Sequence, residues 1–166
     1  MATKHLPPEH LAKPRNGASL RFKAATSRLD DTPFTHLVSD APLSGFAAVQ
    51  AIREGYSIGM IKAASNFFGV ADARIQSIAQ VPASTASRLE KTNARIDSGA
   101  TERLFRMGAV TRLAVEVFGD KFVAIDWMRR PNRALGEVAP LDLMDTEPGA
   151  VSVRQVLNAI ATGGAA

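Results

Sequence analysis

Thr101-Glu102-Arg103-Leu104-Phe105-Arg106-Met107-Gly108-Ala109-Val110-Thr111-Arg112-Leu113-Ala114-Val115-Glu116-Val117 is the stretch that decides the fold. Leu104, Met107, Val110, Leu113 and Val117 recur every three or four residues, the period of a helix face, and the run predicts one long helix supplying core to both sides of the chain.

The same period continues on either side. Toward the N-terminus, Phe46, Val49, Ala51 and Ile52 predict an amphipathic helix from Ser44 that ends at Gly55, a residue suited to a left-handed helix end. Ile58, Ile61, Ala64, Ser65 and Phe68 predict a second, stopped at Gly69. Two short helices follow, about 72–79 and 84–95, joined through Val81-Pro82, with Ser84 as cap of the later one. Toward the C-terminus, Asp120 is placed to cap a helix burying Phe122, Ile125 and Met128, and Pro131 to end it. Ser152 with Gln155 reads as a capping box for a last helix whose face is Val153, Val156, Leu157 and Ile160, stopped at Gly163-Gly164. No segment alternates at period two and no repeat is visible, so the fold is all-α.

Residues 1–42 differ in texture, with Pro7-Pro8, Pro14, Pro33 and Pro42 among Ser, Thr and charge. They read as a flexible arm with a short extended piece near Leu20-Arg21-Phe22. Of the net +4, the first 28 residues hold +5 (Lys4, Lys13, Arg15, Arg21, Lys23 and Arg28 against Glu9) and the rest −1. A basic head suits polyanions, because each neutralised phosphate releases condensed counterions; a solvated tail fits the same charge.

The remaining inventory excludes more than it suggests. With no cysteine there is neither a disulfide framework nor a thiolate metal site. No uncharged apolar run approaches a bilayer span and no hydrophobic signal core opens the chain, so the cytoplasm is the expected compartment and no membrane partner is expected. His5, His10 and His36 show no i, i+4 carboxylate partner on a helix, and neither a phosphate loop nor a nucleophile elbow is present. Glu90 and Glu102 fit solvated helix faces. The expectation is a non-enzyme with no catalytic residues, no metal and no cofactor.

A helix-turn-helix needs apolar residues at fixed spacing, because two short helices must lock together before the second enters a major groove. One register is Ile75, Ala79, Val81, Ala86 and Leu89, leaving Ser84, Thr85, Ser87, Arg88, Lys91 and Thr92 as candidates for base edges and phosphates. A second register, Ala64, Phe68, Val70, Ile75 and Ile78, has the same spacing and carries the usual turn glycine, Gly69, where the first has Gln80. Spacing alone does not choose between them.

The last third supplies a different kind of signal. Phe118-Gly119-Asp120, Ala124-Ile125-Asp126-Trp127-Met128, Pro131-Asn132-Arg133-Ala134-Leu135-Gly136, Pro140-Leu141-Asp142-Leu143-Met144 and Thr146-Glu147-Pro148-Gly149 stand in an order that resembles the Xre/MbcA/ParS antitoxins. The resemblance spans roughly 45–163. It implies an Xre-like helix-turn-helix module at 43–103, joined by the long helix to a small helical toxin-binding domain at 104–166 with a C-terminal inhibitory tail. It also favours the Ser84–Thr92 register, because in that family a Glu-Arg-Leu helix follows the recognition helix, and Glu102-Arg103-Leu104 stands there.

By the same resemblance, the partner is a RES-domain toxin that consumes NAD, covered at its cleft by the antitoxin's C-terminal segment. A homodimer or larger assembly with toxin, and repression from operator DNA, are also implied. The toxin-contacting candidates are Trp127, Arg130, Asn132 and Leu135, and in the tail Ile160, Thr162, Gly163, Gly164, Ala165 and Ala166. Trp127, Leu135, Pro140, Leu141 and Leu143 equally fit a purely architectural role, and Gly136 and Gly149 fit turns. The alternatives are a free-standing transcription regulator with a dimerising C-terminal domain, and an adaptor that never meets DNA.

Overall fold

The computed structural model describes residues 32–163. The described residues form α-helices joined by turns and two 3-10 segments, with isolated bridges at Ser57–Arg95 and Asn132–Val138 in place of strands. The helices are α1 (Pro33–Ser39), α2 (Gly45–Glu54), α3 (Gly59–Phe68), α4 (Asp72–Ala79), α5 (Ala83–Thr92), α6 (Ser98–Phe118), α7 (Lys121–Arg129) and α8 (Glu147–Ala161). The 3-10 segments are Arg133–Leu135 and Pro140–Asp145. No described helix is long and apolar enough to cross a membrane.

Helix α6 is the spine. Leu104, Met107 and Val110 are buried as the period requires, and α1, α2, α4, α7, α8 and the 140–145 segment all pack on it. Buried side chains from Phe34 to Leu157 form one continuous cluster, so the modules drawn at 43–103 and 104–166 share a core, and their boundary falls inside a single helix.

The arm reading of residues 1–42 fails for 33–39. Thr32 caps α1 by accepting from Thr35 N at 3.2 Å, and Pro33 sits in the first turn, where its missing N–H costs nothing. Phe34 then enters the core edge-on to Phe67 and Phe68, with ring centroids 5.2 and 5.5 Å away. Gly108 makes this docking possible: a Cβ there would lie 2.6 Å from Leu37. Phe34, Leu37 and Val38 do have helical spacing, but a helix of seven residues carries too short a period to stand out. The extended piece at Leu20–Phe22 lies outside the described residues.

Helix α2 sits where expected but is turned. Its inward residues are Ala48, Ala51 and Ile52, while Phe46 and Val49 are exposed. Gly55 ends it with φ 79° and ψ 143°, outside the left-handed helical basin, because its backbone runs against Ile96 O. Two backbone bonds pin this corner to the lead-in of α6, Ile58 N to Ala94 O at 3.0 Å and Ile96 N to Tyr56 O at 2.9 Å.

Capping differs from expectation at two helices. Helix α5 starts after Pro82 without a side-chain cap, so Ser84 lies within its first turn. Helix α8 starts at Glu147, not near Ser152: Thr146 accepts from Gly149 N at 3.3 Å, and Ser152 Oγ donates back to Pro148 O. An acidic residue and a proline after a threonine are themselves start signals, and they outrank the Ser152–Gln155 pair. Asp120 caps α7 as predicted, accepting from Phe122 N and Val123 N at 2.7 and 2.9 Å. Phe122, however, is 46 % exposed, because it lies in the first turn, at the edge of the face that buries Ile125 and Met128.

Candidate functional site

Helices α3, α4 and α5 end in the same way. Gly69, Gln80 and Asn93 are left-handed, and the next N–H reaches back five residues: Val70 to Ser65 O, Val81 to Gln76 O and Ala94 to Leu89 O, at 2.9–3.0 Å. This repetition is why two helix-turn-helix registers fit the sequence. It also shows that Gln80 takes the conformation a glycine would take, at φ 57° and ψ 40°.

The two second helices differ in what they leave free. On α4, Arg74 is held by Asp142, with Nε–Oδ1 and Nη2–Oδ2 both 2.8 Å. Asp72 accepts from Ser65 Oγ and from Lys62 Nζ at 2.9 Å. Its carboxyl is held below the usual aspartate value by the Ser65 hydroxyl foremost and by Lys62, against an opposing effect of burial. On α5, Ala86 is buried, Leu89 and Thr85 are half-buried, and Ser84, Ser87, Arg88, Lys91 and Thr92 are exposed. Ser84, Arg88 and Lys91 follow i, i+4, i+7 on the outward face, and neither cation is ion-paired to another described residue. Thr92 Oγ1 donates to Leu89 O at 3.3 Å.

The C-terminal block is tied back to this module by several polar contacts, among them Arg103 Nε donating to Asp145 O at 3.3 Å. Besides Arg74–Asp142, Arg129 Nη1 donates to Phe68 O at 3.1 Å, satisfying a carbonyl at the end of α3. Arg106 bridges Glu102 and Glu147 (Nε–Oε2 3.0 Å) and donates to Met144 O at 3.1 Å, while Glu147 also takes Arg154. These pairs line an open cleft of about 490 Å³ between α2, α6 and the start of α8. The long-range ties were not foreseen, since a cation and an acceptor tens of residues away along the chain leave no local pattern.

The toxin-contacting candidates occupy varied positions. Trp127 is half-buried, its ring 5.6 Å from that of Phe118, and Leu135 is also half-buried. Arg130 is exposed and paired with Asp126 at 2.9 Å. Asn132 organises its own turn, accepting from Ala134 N through Oδ1 and donating its N–H to Val138 O. Ile160, Thr162 and Gly163 are exposed at the end of α8, where Thr162 Oγ1 donates to Asn158 O at 3.0 Å. Gly164, Ala165 and Ala166 lie outside the described residues.

Gly136 does serve a turn, at φ 71°, whereas Gly149 lies within the first turn of α8 against the Leu143 carbonyl. Phe122 and Val123, exposed side by side on α7, were not among the candidates. A cap at Asp120 places both in the first turn, which was the available clue.

No group of three His, Asp or Glu side chains among the described residues is arranged to hold a metal. One histidine expectation is corrected: His36 Nδ1 lies 3.3 Å from Asp40 Oδ2, four residues on, because α1 exists.

Residues 113–163 match the Xre/MbcA/ParS antitoxin C-terminal toxin-binding domain. An antitoxin Xre of Yersinia enterocolitica is 30% identical over 120 residues, covering 72% of this chain and 81% of that protein. One from Photorhabdus laumondii is 28% identical over 145 residues, covering 87% and 98%. One from Pseudomonas putida is 32% identical over 63 residues, covering 38% and 40%. All-helical fold, matched toxin-binding segment and two relatives spanning most of the chain agree: the chain belongs to the Xre/MbcA/ParS family of antitoxins.

Proposed function

We propose that this antitoxin acts in the cytoplasm by covering the active site of an NAD-consuming toxin of the RES type, and that with α5 it binds operator DNA to repress its own operon. The observation that carries the reading is the joining, on one core, of the matched toxin-binding segment 113–163 to a helix whose outward Ser84, Arg88 and Lys91 are exposed, neither cation ion-paired to another described residue. The RES identity of the toxin comes from the family resemblance. The DNA role comes from the chemistry of α5, since exposed cations and hydroxyls at helical spacing suit phosphates and base edges. Paired half-sites favour two copies reading together. No step requires a catalytic side chain of this chain: neutralisation is occupancy of the partner's cleft.

In this reading the tail after Ala161 is the cover. Small residues let the backbone thread a narrow cleft that bulkier side chains would block. Coexpression of the full chain with a RES-type toxin encoded beside it, while following cellular NAD, tests the proposal. NAD is preserved by the full chain and falls with a chain lacking residues 162–166. Equal NAD loss with and without the full chain would refute the antitoxin–RES pairing. Full protection by the truncated chain would move inhibition to the Trp127–Leu143 surface. A free-standing regulator would keep operator binding and protect nothing in either form.

A further inference from the structure

Helix α7 carries apolar side chains on its outward face. Ala124, Ile125 and Met128 are buried where α7 packs on α6 and the 140–145 segment. At about 100° per residue, Phe122, Val123, Asp126 and Arg130 therefore point away from the core, with Trp127 at the edge beside Phe118. Phe122 is 46 % exposed and Val123 51 %, consecutive residues of the first turn. A hollow of about 250 Å³ opens beside Phe122, walled by Phe68, Gly69, Ile125 and Arg129. The whole face lies within 113–163, the segment matched to a toxin-binding domain.

We propose that this face is the anchor on which the toxin seats, supplying most of the affinity, while the tail only closes the cleft. The inference deepens the antitoxin–toxin reading and rests on it.

The two surfaces differ in what they can contribute. Residues 162–166 are a threonine, two glycines and two alanines, which bring little side-chain area, and ordering a glycine pair costs conformational entropy. The residues that dominate protein interfaces are aromatics and arginine around a desolvated centre. Phe122, Trp127 and Arg130 are of those types, and Val123 lies among them. Arg130 is already oriented by Asp126, at 2.9 Å, so a partner meets a guanidinium that needs little ordering.

Charge decides against nucleic acid as the occupant. Asp126 sits at the centre of the face and holds Arg129 and Arg130 at 3.4 and 2.9 Å, so a phosphate would meet a carboxylate there.

Glutamate in the first turn of a helix is favoured by the helix's own polarity, so Phe122→Glu and Val123→Glu charge the face and leave the fold intact. Calorimetric titration uses a catalytically inactive form of the RES-type toxin encoded beside the chain. The full chain and both variants are compared with a chain lacking residues 162–166 and with Phe46→Glu, a site 72 % exposed on α2 and outside the matched segment. We expect each α7 variant to weaken binding by roughly thirtyfold or more, and the truncation and Phe46→Glu to change it by less than about threefold. Val123→Ser, which removes apolar area without adding charge, should weaken binding in the same direction. Helical content and the sedimentation of the chain alone should stay unchanged. No binding by the unaltered chain would overturn the toxin reading and this anchor with it. Binding that withstands both α7 substitutions, or that falls as far on truncation or in Phe46→Glu, would overturn the anchor alone. A dimer of the chain lost in both α7 variants would assign the face to a second copy instead.

Discussion

Arg74 and Asp142 face each other fork to fork, two bonds of 2.8 Å joining α4 of the N-terminal helices to the 140–145 segment of the toxin-binding block. A guanidinium held this way is lost to phosphate. It fixes the orientation of α4 on the C-terminal block, and α5 follows through the turn at Gln80.

Breaking that pair should cost a measurable but modest amount. Both side chains are partly exposed, so Arg74→Ala or Asp142→Ala should each lose about 1 kcal/mol. Urea unfolding of both single variants and the double variant checks it. The double variant should lose less than the sum of the singles; strict additivity would show that the pair contributes nothing of its own.

Gln80→Gly should stabilise the protein. Gln80 is exposed at φ 57°, a conformation costing a non-glycine residue about 1 kcal/mol. Glycine there should raise the melting temperature by roughly 2–4 °C in a chain of this size. A lower melting temperature would mean the glutamine side chain holds the turn.

The two glycines of the C-terminal block should respond differently to alanine. A Cβ on Gly149 would run into the Leu143 carbonyl and lie 3.0 Å from Leu143 Cβ and Thr146 Oγ1, so backbone must move. A loss of about 2–3 kcal/mol is expected, as for other overpacked sites. Gly136 has open space but φ 71°, so alanine there should cost only about 1 kcal/mol. Calorimetry of the two variants side by side distinguishes steric from conformational strain, and a reversed order would refute both assignments.

Asp72 should contribute an acid-sensitive part of the stability. Its folded value lies below the ordinary 3.8, so its stabilisation is present above that pH and lost as pH falls through the lower folded value. Asp72→Asn should therefore be less stable than the unaltered chain at neutral pH, with the gap closing below pH 3.8. Thermal melts across that range read it, and a gap independent of pH would assign the loss to helix capping or packing.

On DNA, Arg88→Ala and Lys91→Ala should separate two kinds of contact. If Arg88 reads a guanine edge, its loss costs about 1–3 kcal/mol and relaxes preference at one operator position. If Lys91 holds a phosphate, its loss weakens all sequences alike and lowers the salt slope by about one unit. Operator titrations at several salt concentrations check both, and unchanged affinity in both variants would remove α5 from the interface.

Much of this was legible beforehand because it is local. The stripe Leu104–Met107–Val110 needs only the helical period, and Gly69 and Asp120 act on their immediate neighbours. The order of residues from Phe118 to Gly149 was enough to name the family. What the sequence by itself determined was therefore the helical class, most helix positions and the kind of partner. Tertiary structure decided the rest: that Phe34 belongs to the core, that Phe46 and Phe122 do not, and that Arg74 is clamped while Arg88 is exposed. Those outcomes depend on how helices are rotated against α6 and on which charges meet across it. Neither is fixed by a period, because a short apolar run can bury either flank until the neighbouring helix takes one of them.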